Sequence, residues 1–229
     1  TAGGAIFAAW PFVYATAFSG LYWGLLLVLF ALFFRPVGFE YRSKMPGPTW
    51  RKAWDWGIFA GSTVPPLVFG VTFGNLFLGV PFILDQSMRS FYSGSFWALL
   101  NPFALLCGLT SLSLLTLQGA TFLAHRTEGA LQTRAIKAAT RLAVFLLLAF
   151  SLAGLWVSRL EGYVIQSIPD IGGALNPLMK EVVRQPGGWF TNYRQYPLLW
   201  LVPAVAYLGG VVVLLGLRFG KTLLAFVGS

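Results

Sequence analysis

Asp, Glu, Lys and Arg are absent from five stretches of the chain, 1–34, 56–84, 90–124, 142–158 and 195–217. Crossing a hydrocarbon core of about 30 Å takes about 20 apolar residues in a helix. Four of the stretches exceed that length. The fifth, 142–158, has Arg141 and Arg159 at its ends, long side chains that can carry their charges outward. The pattern predicts an all-α polytopic transmembrane bundle occupying 1–229 as a single transmembrane domain, with partial helices at both ends. Its five complete spans are placed at roughly 15–34, 54–77, 98–124, 138–158 and 197–217. Residues 1–10 read as a helix stopped near Trp10-Pro11, and 222–229 as the start of another. The outer loop 159–196 is too long for a turn and holds Pro169, Gly172-Gly173, Pro177 and Pro186-Gly187-Gly188. It is expected to be a folded cap with short helical pieces.

Punctuation within the spans refines this picture. Gly20 and Gly24, Gly57 and Gly61, and Gly70 and Gly74 are spaced to share a helix face. Such pairs let helix backbones approach where lipid supplies no hydrophobic drive. Pro65-Pro66 and Pro203 each free a carbonyl inside a span and are expected to kink it. Thr49, following Pro46-Gly47-Pro48, is the expected cap of the helix into the second span. Trp50, Trp54 and Trp56, and at the other edge Trp189, Tyr193, Tyr196 and Trp200, sit where amphipathic rings favour the membrane interface.

Composition removes the soluble classes. The 229 residues are 57% hydrophobic and 10% charged, where soluble domains carry about 25% charged residues. The net charge of +9 calls for no nucleic acid, because the cations are sorted by side. The loop 35–54 (Arg35, Arg42, Lys44, Arg51, Lys52), the loop 125–141 (Arg126, Arg134, Lys137, Arg141) and the pair Arg218 and Lys221 hold 11 of the 16 basic residues. Loops 78–97 and 159–196 hold the other five, with four acids. The basic side is expected to be cytoplasmic. Cys107 stands alone, so no disulfide framework is expected within the chain. The text opens at Thr1 inside an apolar run and reads as a segment of a longer protein.

Little catalytic chemistry can be assembled. One histidine, His125, and three loop methionines, Met45, Met88 and Met179, cannot supply a bis-His or His/Met haem deep in the membrane, nor a zinc site. His125 reads as a helix-end residue beside Arg126. Ser62, Ser111 and Ser113 lack a second histidine to activate them, and no phosphate-binding loop occurs. Ionisable groups at the membrane rim are the sharper candidates, being costly unless paired. Arg35 reads either as a snorkelling anchor or as the partner of Glu40 or Asp55. Asp55 reads as a first-turn acid favoured by the helix dipole, and Glu40 as a solvated loop residue or a proton-entry carboxylate. Asn75 and Gln118 are expected to hydrogen-bond between helices.

Several runs carry a resemblance. Phe33-Phe34-Arg35-Pro36-Val37-Gly38-Phe39-Glu40-Tyr41-Arg42-Ser43-Lys44 is one, and Trp54-Asp55-Trp56-Gly57-Ile58-Phe59 with Val64-Pro65-Pro66-Leu67 another. Phe73-Gly74-Asn75-Leu76, Gly79-Val80-Pro81-Phe82 and Leu100-Asn101-Pro102-Phe103 follow. Gln118-Gly119-Ala120-Thr121, Arg126-Thr127-Glu128-Gly129 and Asn176-Pro177-Leu178-Met179-Lys180-Glu181-Val182-Val183-Arg184 complete the series. In this order they resemble subunit II of cytochrome bd-type quinol oxidases along nearly the whole chain.

The resemblance implies a haem-free membrane subunit of a complex that oxidises quinol, reduces dioxygen to water and draws protons from the cytoplasm of a bacterium. It implies a partner subunit I carrying haems b and d, and a role for subunit II in assembly of that partner. A structural quinone or lipid in some members is a further implied contact, and the resemblance leaves room for a small accessory subunit without requiring one. Glu40 stands where the family has an acid associated with a cytoplasmic proton entrance; Arg35 and Asp55 match charged positions read as structural. The family's opening acidic helix, its His-Trp-Asp run and its later helices are not in this sequence, and Leu78 replaces a glutamine common in the family. The rival reading is a small-solute transporter or channel with Pro65-Pro66 and Asn75 lining its path. The chain shows no internal repeat or inverted symmetry, which weakens that rival.

Overall fold

The computed structural model describes residues 2–87, 89–167 and 181–229. Pro169, Gly172-Gly173, the run from Asn176 to Lys180 and Met88 lie outside the described residues. Five helices are long and apolar enough to cross a membrane: Tyr22–Tyr41, Pro48–Leu78, Pro102–Arg126, Gly129–Val157 and Pro197–Arg218. The chain forms two compact units, 1–112 and 113–229.

The first unit opens with α1 (Ala2–Ala9) and α2 (Pro11–Gly20), separated by Trp10, with Pro11 starting α2 where its missing N–H costs nothing. The expected span 15–34 is not one helix. α2 ends at Gly20, and α3 runs from Tyr22 to Tyr41. The reason lies in a small antiparallel hairpin that hydropathy did not predict, β1 (Phe82–Leu84) with β2 (Ser90–Tyr92). It docks on α2: the Thr16 and Ser90 hydroxyls are 2.7 Å apart, and the Tyr92 N–H donates to Ser19 Oγ at 3.3 Å. A Cβ on Gly20 would lie 3.3 Å from the Tyr92 ring of β2 and 3.1 Å from Val80 just before β1, so α2 packs closely on the hairpin. Tyr92 Oη donates to Ser95 O at 3.0 Å, and burial raises its phenol above the usual tyrosine range.

The helix α3 also overruns its expected end. It continues through Pro36 to Tyr41, although an interior proline removes one backbone hydrogen bond. Packing offsets the loss. Gly38 meets Ile58 of α4 (Pro48–Leu78), where a Cβ would stand 2.6 Å from the isoleucine side chain. α4 starts on Gly47 and Pro48, with no side-chain cap, so the cap expected of Thr49 is not formed: Pro48 takes the first helical position and moves the boundary upstream. α4 stays helical through the buried Pro65-Pro66 and ends at Gly79, whose φ of 85° suits glycine. A 3₁₀ turn, Phe96–Leu100, leads to α5 (Pro102–Arg126), which contributes to both units. Gly20 and Gly24 do not share a helix face, because α2 ends at Gly20 and α3 begins at Tyr22; the other two pairs do, and each of their glycines packs on a neighbour. Gly24 meets Val68, Gly57 meets Phe34, Gly61 meets the Ala31 carbonyl, Gly70 the Cys107 backbone and Gly74 Ala104.

In the second unit the C-terminal part of α5 packs with α6 (Gly129–Val157), α8 (Leu201–Arg218) and α9 (Thr222–Gly228) around Leu117, Ala120, Ala139, Ala143, Val213, Leu217 and Ala225. Ala135, Ala139 and Ala143 recur every fourth residue and are buried, a small-residue seam that allows close helix approach. The segment 159–196 forms short helical pieces as expected, a 3₁₀ turn at Gly188–Phe190 and α7 (Thr191–Gln195). It also contains a hairpin, β3 (Glu161–Ser167) against β4 (Glu181–Pro186), pairing Tyr163 with Arg184. There the guanidinium of Arg184 lies 5.0 Å from the Tyr163 ring centre and donates to its hydroxyl at 2.8 Å.

Candidate functional site

The charged rim of the first unit is built by the close crossing of α3 and α4. Gly61 admits the Ala31 carbonyl and the stem of Arg35, Gly57 admits Phe34, and Gly38 admits Ile58 and Trp54. These contacts bring the end of α3 beside the beginning of α4. Trp50 Nε1 donates to Tyr41 O at 2.9 Å, taking up one of the carbonyls a helix end leaves free. Its ring meets Trp54 edge to face at 5.6 Å, and Trp54 leans on Tyr41 at 6.2 Å.

Asp55 is not the first-turn acid expected of it: α4 begins at Pro48, which places Asp55 two turns in, beyond the reach of the helix end. Within this frame it is held by a residue the sequence reading did not choose. Arg42, at the C-cap of α3, engages it with both nitrogens of its fork, Nε to Oδ1 and Nη2 to Oδ2 at 3.2 Å. Arg35 is not its partner. Because α3 continues to Tyr41, Arg35 sits well inside the helix and lays its stem over Gly61, while Arg42 reaches the helix end. The pair is exposed at both ends. Glu40 is in the last turn of α3, not in a loop, and is exposed. An acid there opposes the negative end of the helix dipole. It shares a face with Phe30, Phe33 and Val37, at helical spacing and 62%, 64% and 38% exposed.

Two further polar clusters lie among apolar residues. In the first unit the buried Asn75 donates from Nδ2 to Val71 O at 2.9 Å and to Leu99 O at 2.7 Å, and it accepts from Asn101 Nδ2 at 3.0 Å. Asn101 in turn caps the start of α5 by accepting from the Ala104 N–H at 2.8 Å. The expectation for Asn75 is met. Asn101 was passed over as a site, although an Asn before Pro is a helix-start signal. In the second unit Gln118, Thr121 and His125 follow one another along α5 and meet residues of the last segment. Ser229 Oγ lies 2.8 Å from Gln118 Oε1 and 2.9 Å from Thr121 Oγ1, and His125 Nδ1 is 3.2 Å from Thr222 Oγ1. His125 occupies the last turn of α5, as expected. Thr121 is wholly buried and was not singled out; its hydroxyl also reaches back to its own helix, which hides such residues from sequence reading. No group of three or more His, Cys, Asp or Glu is placed to hold a metal among the described residues.

Comparison with known proteins accounts for the run of motifs. The family described as cytochrome bd terminal oxidase subunit II matches residues 1–229. Subunit 2 of the cytochrome bd-I ubiquinol oxidase of Escherichia coli (strain K12) is 52% identical across 100% of the chain and 61% of its own length. A probable cytochrome oxidase subunit 2 of Haemophilus influenzae is 52% identical over 96% of the chain and 58% of its own. Subunit 2 of the cytochrome bd ubiquinol oxidase of Bacillus subtilis is 42% identical over 62% of the chain. The chain thus spans about 61% of the length of the E. coli relative. With the match running from the first residue to the last, this multi-pass membrane chain belongs to the cytochrome bd terminal oxidase subunit II family.

Proposed function

We propose that the chain is the haem-free second subunit of a cytochrome bd-type quinol:dioxygen oxidoreductase in a bacterial cytoplasmic membrane. It supports assembly of a haem-bearing subunit I, which carries the b and d haems and the quinol site, and it contributes to proton uptake from the cytoplasm. The observation that carries this reading is membership of the family along the full 229 residues. Within these 229 residues, one histidine at a helix end and three methionines are too few to ligate the haems of such an enzyme.

Glu40 is the proposed proton-entry group. Its carboxylate stands against the helix dipole and tops an outward apolar face, so its position costs stability and is explained better by function than by folding. Against an adjoining subunit that face would flank a proton path beginning at Glu40. Arg42 and Asp55, by contrast, neutralise each other and fasten the rim, with Arg35 as a packing residue.

The test uses the full-length parent of this chain. Purified in mild detergent, it is expected to bring down a larger polypeptide whose reduced-minus-oxidised spectrum shows b- and d-type haem. In that complex Glu40→Gln should lower steady-state oxygen consumption with haem content unchanged. A colourless single polypeptide would favour the transporter reading, and unchanged turnover of the variant at every pH would remove Glu40 from the proton path.

A further inference from the structure

The opening turns of α4 carry cations that nothing in the described structure neutralises. Between residues 42 and 55 stand Arg42, Lys44, Arg51 and Lys52 against one acid, Asp55. Arg42 already holds that acid with both arms. Among the described residues Lys44, Arg51 and Lys52 have no anionic side chain in contact. Arg51 and Lys52 also sit near the positive end of the α4 dipole, which disfavours cations. An anion from outside the chain would relieve both costs.

The surface beneath these cations says what kind of anion fits. Lys52, Trp56 and Phe59 are spaced i, i+4 and i+7, so they line one face of α4 running inward from the rim. Trp56 and Phe59 are 64% and 58% exposed, and their rings meet edge to face at 5.6 Å. A free phosphate has no use for such a face. A phosphodiester with an acyl chain attached uses both parts, the charge at Lys52 and Arg51 and the chain along the two rings. We infer that Arg51, Lys52, Trp56 and Phe59 form a site for an anionic phospholipid, its phosphate on the two cations and its acyl chain against the aromatic pair.

The full-length protein in its native complex can be titrated in detergent with brominated phosphatidylglycerol or brominated phosphatidylcholine, which quench tryptophan on contact. Trp56→Phe identifies the share of the signal due to Trp56. That share should be quenched at a severalfold lower mole fraction of the anionic lipid than of the zwitterionic one. Arg51→Gln with Lys52→Gln should reduce the preference by about fivefold per charge removed. Raising salt to about 1 M on the unaltered protein, where screening reaches about 3 Å, should do the same without any mutation. Equal quenching by both lipids, or a preference that survives both treatments, would overturn the site. So would a Trp56 signal reached by neither lipid, since another protein surface would then cover this face.

Discussion

Gly61 sets how closely α3 and α4 can approach, because an added methyl would meet the Ala31 backbone carbonyl at 2.5 Å, and backbone cannot rotate away. At Gly38 the obstacle is the Ile58 side chain, which can turn. Gly61→Ala should therefore cost about 1–3 kcal/mol, as overpacking does. Gly38→Ala should cost less. The comparison is read from the thermal midpoint and yield of the full-length protein, and equal losses at both positions would show that the crossing is not set by Gly61. The spacing of Gly57 and Gly61 made this contact readable in the sequence. The partner of Asp55 was not readable, because Arg35 and Arg42 are both near it along the chain. Only the continuation of α3 past Pro36 decides between them, and that rests on Gly38 meeting Ile58, a tertiary contact with no local signal.

At the level of elements, long apolar runs announced all five membrane-competent helices, since length and the absence of charge suffice. Helix ends and hairpins followed rules that hydropathy does not carry. Pro48 displaced the boundary from Thr49, and the β1–β2 hairpin claimed α2 through Ser19, Thr16 and Gly20. The β3–β4 strands did have a faint signal in Tyr163-Val164-Ile165 and Val182-Val183, β-rich residues outweighed by the surrounding Gly and Pro. The docking of β2 gives a pH dependence of known sign. Tyr92 is held above its ordinary range by burial, so its folded form keeps the proton more tightly than the unfolded chain does. Its contribution is fully present below the usual tyrosine value of about 10 and is lost as pH rises through the higher folded value. Melting midpoints taken across that alkaline range should fall more steeply for the native protein than for Tyr92→Phe, which cannot ionise. Parallel curves would mean that the hairpin does not depend on the neutral phenol.

For the whole molecule, the distribution of charge makes a claim about sidedness that α4 can test within the first unit. Its 31 residues, at 1.5 Å each, extend about 46 Å, more than the roughly 30 Å of a hydrocarbon core. Lys44 and Arg89, before and after it, must then lie on opposite sides of a membrane that α4 crosses. The excess of Lys and Arg in 35–54 over 78–97, five against one, predicts that the Lys44 side faces the cytoplasm. That is also the side from which the proposed proton entrance at Glu40 would be fed. With Cys107 and every other cysteine of the full-length protein replaced by Ala, a membrane-impermeant thiol reagent added to intact cells should label Arg89→Cys and spare Lys44→Cys until the membrane is opened. The reverse pattern would invert the topology and place Glu40 on the wrong side for cytoplasmic proton uptake. Labelling of both from outside would mean that α4 does not span.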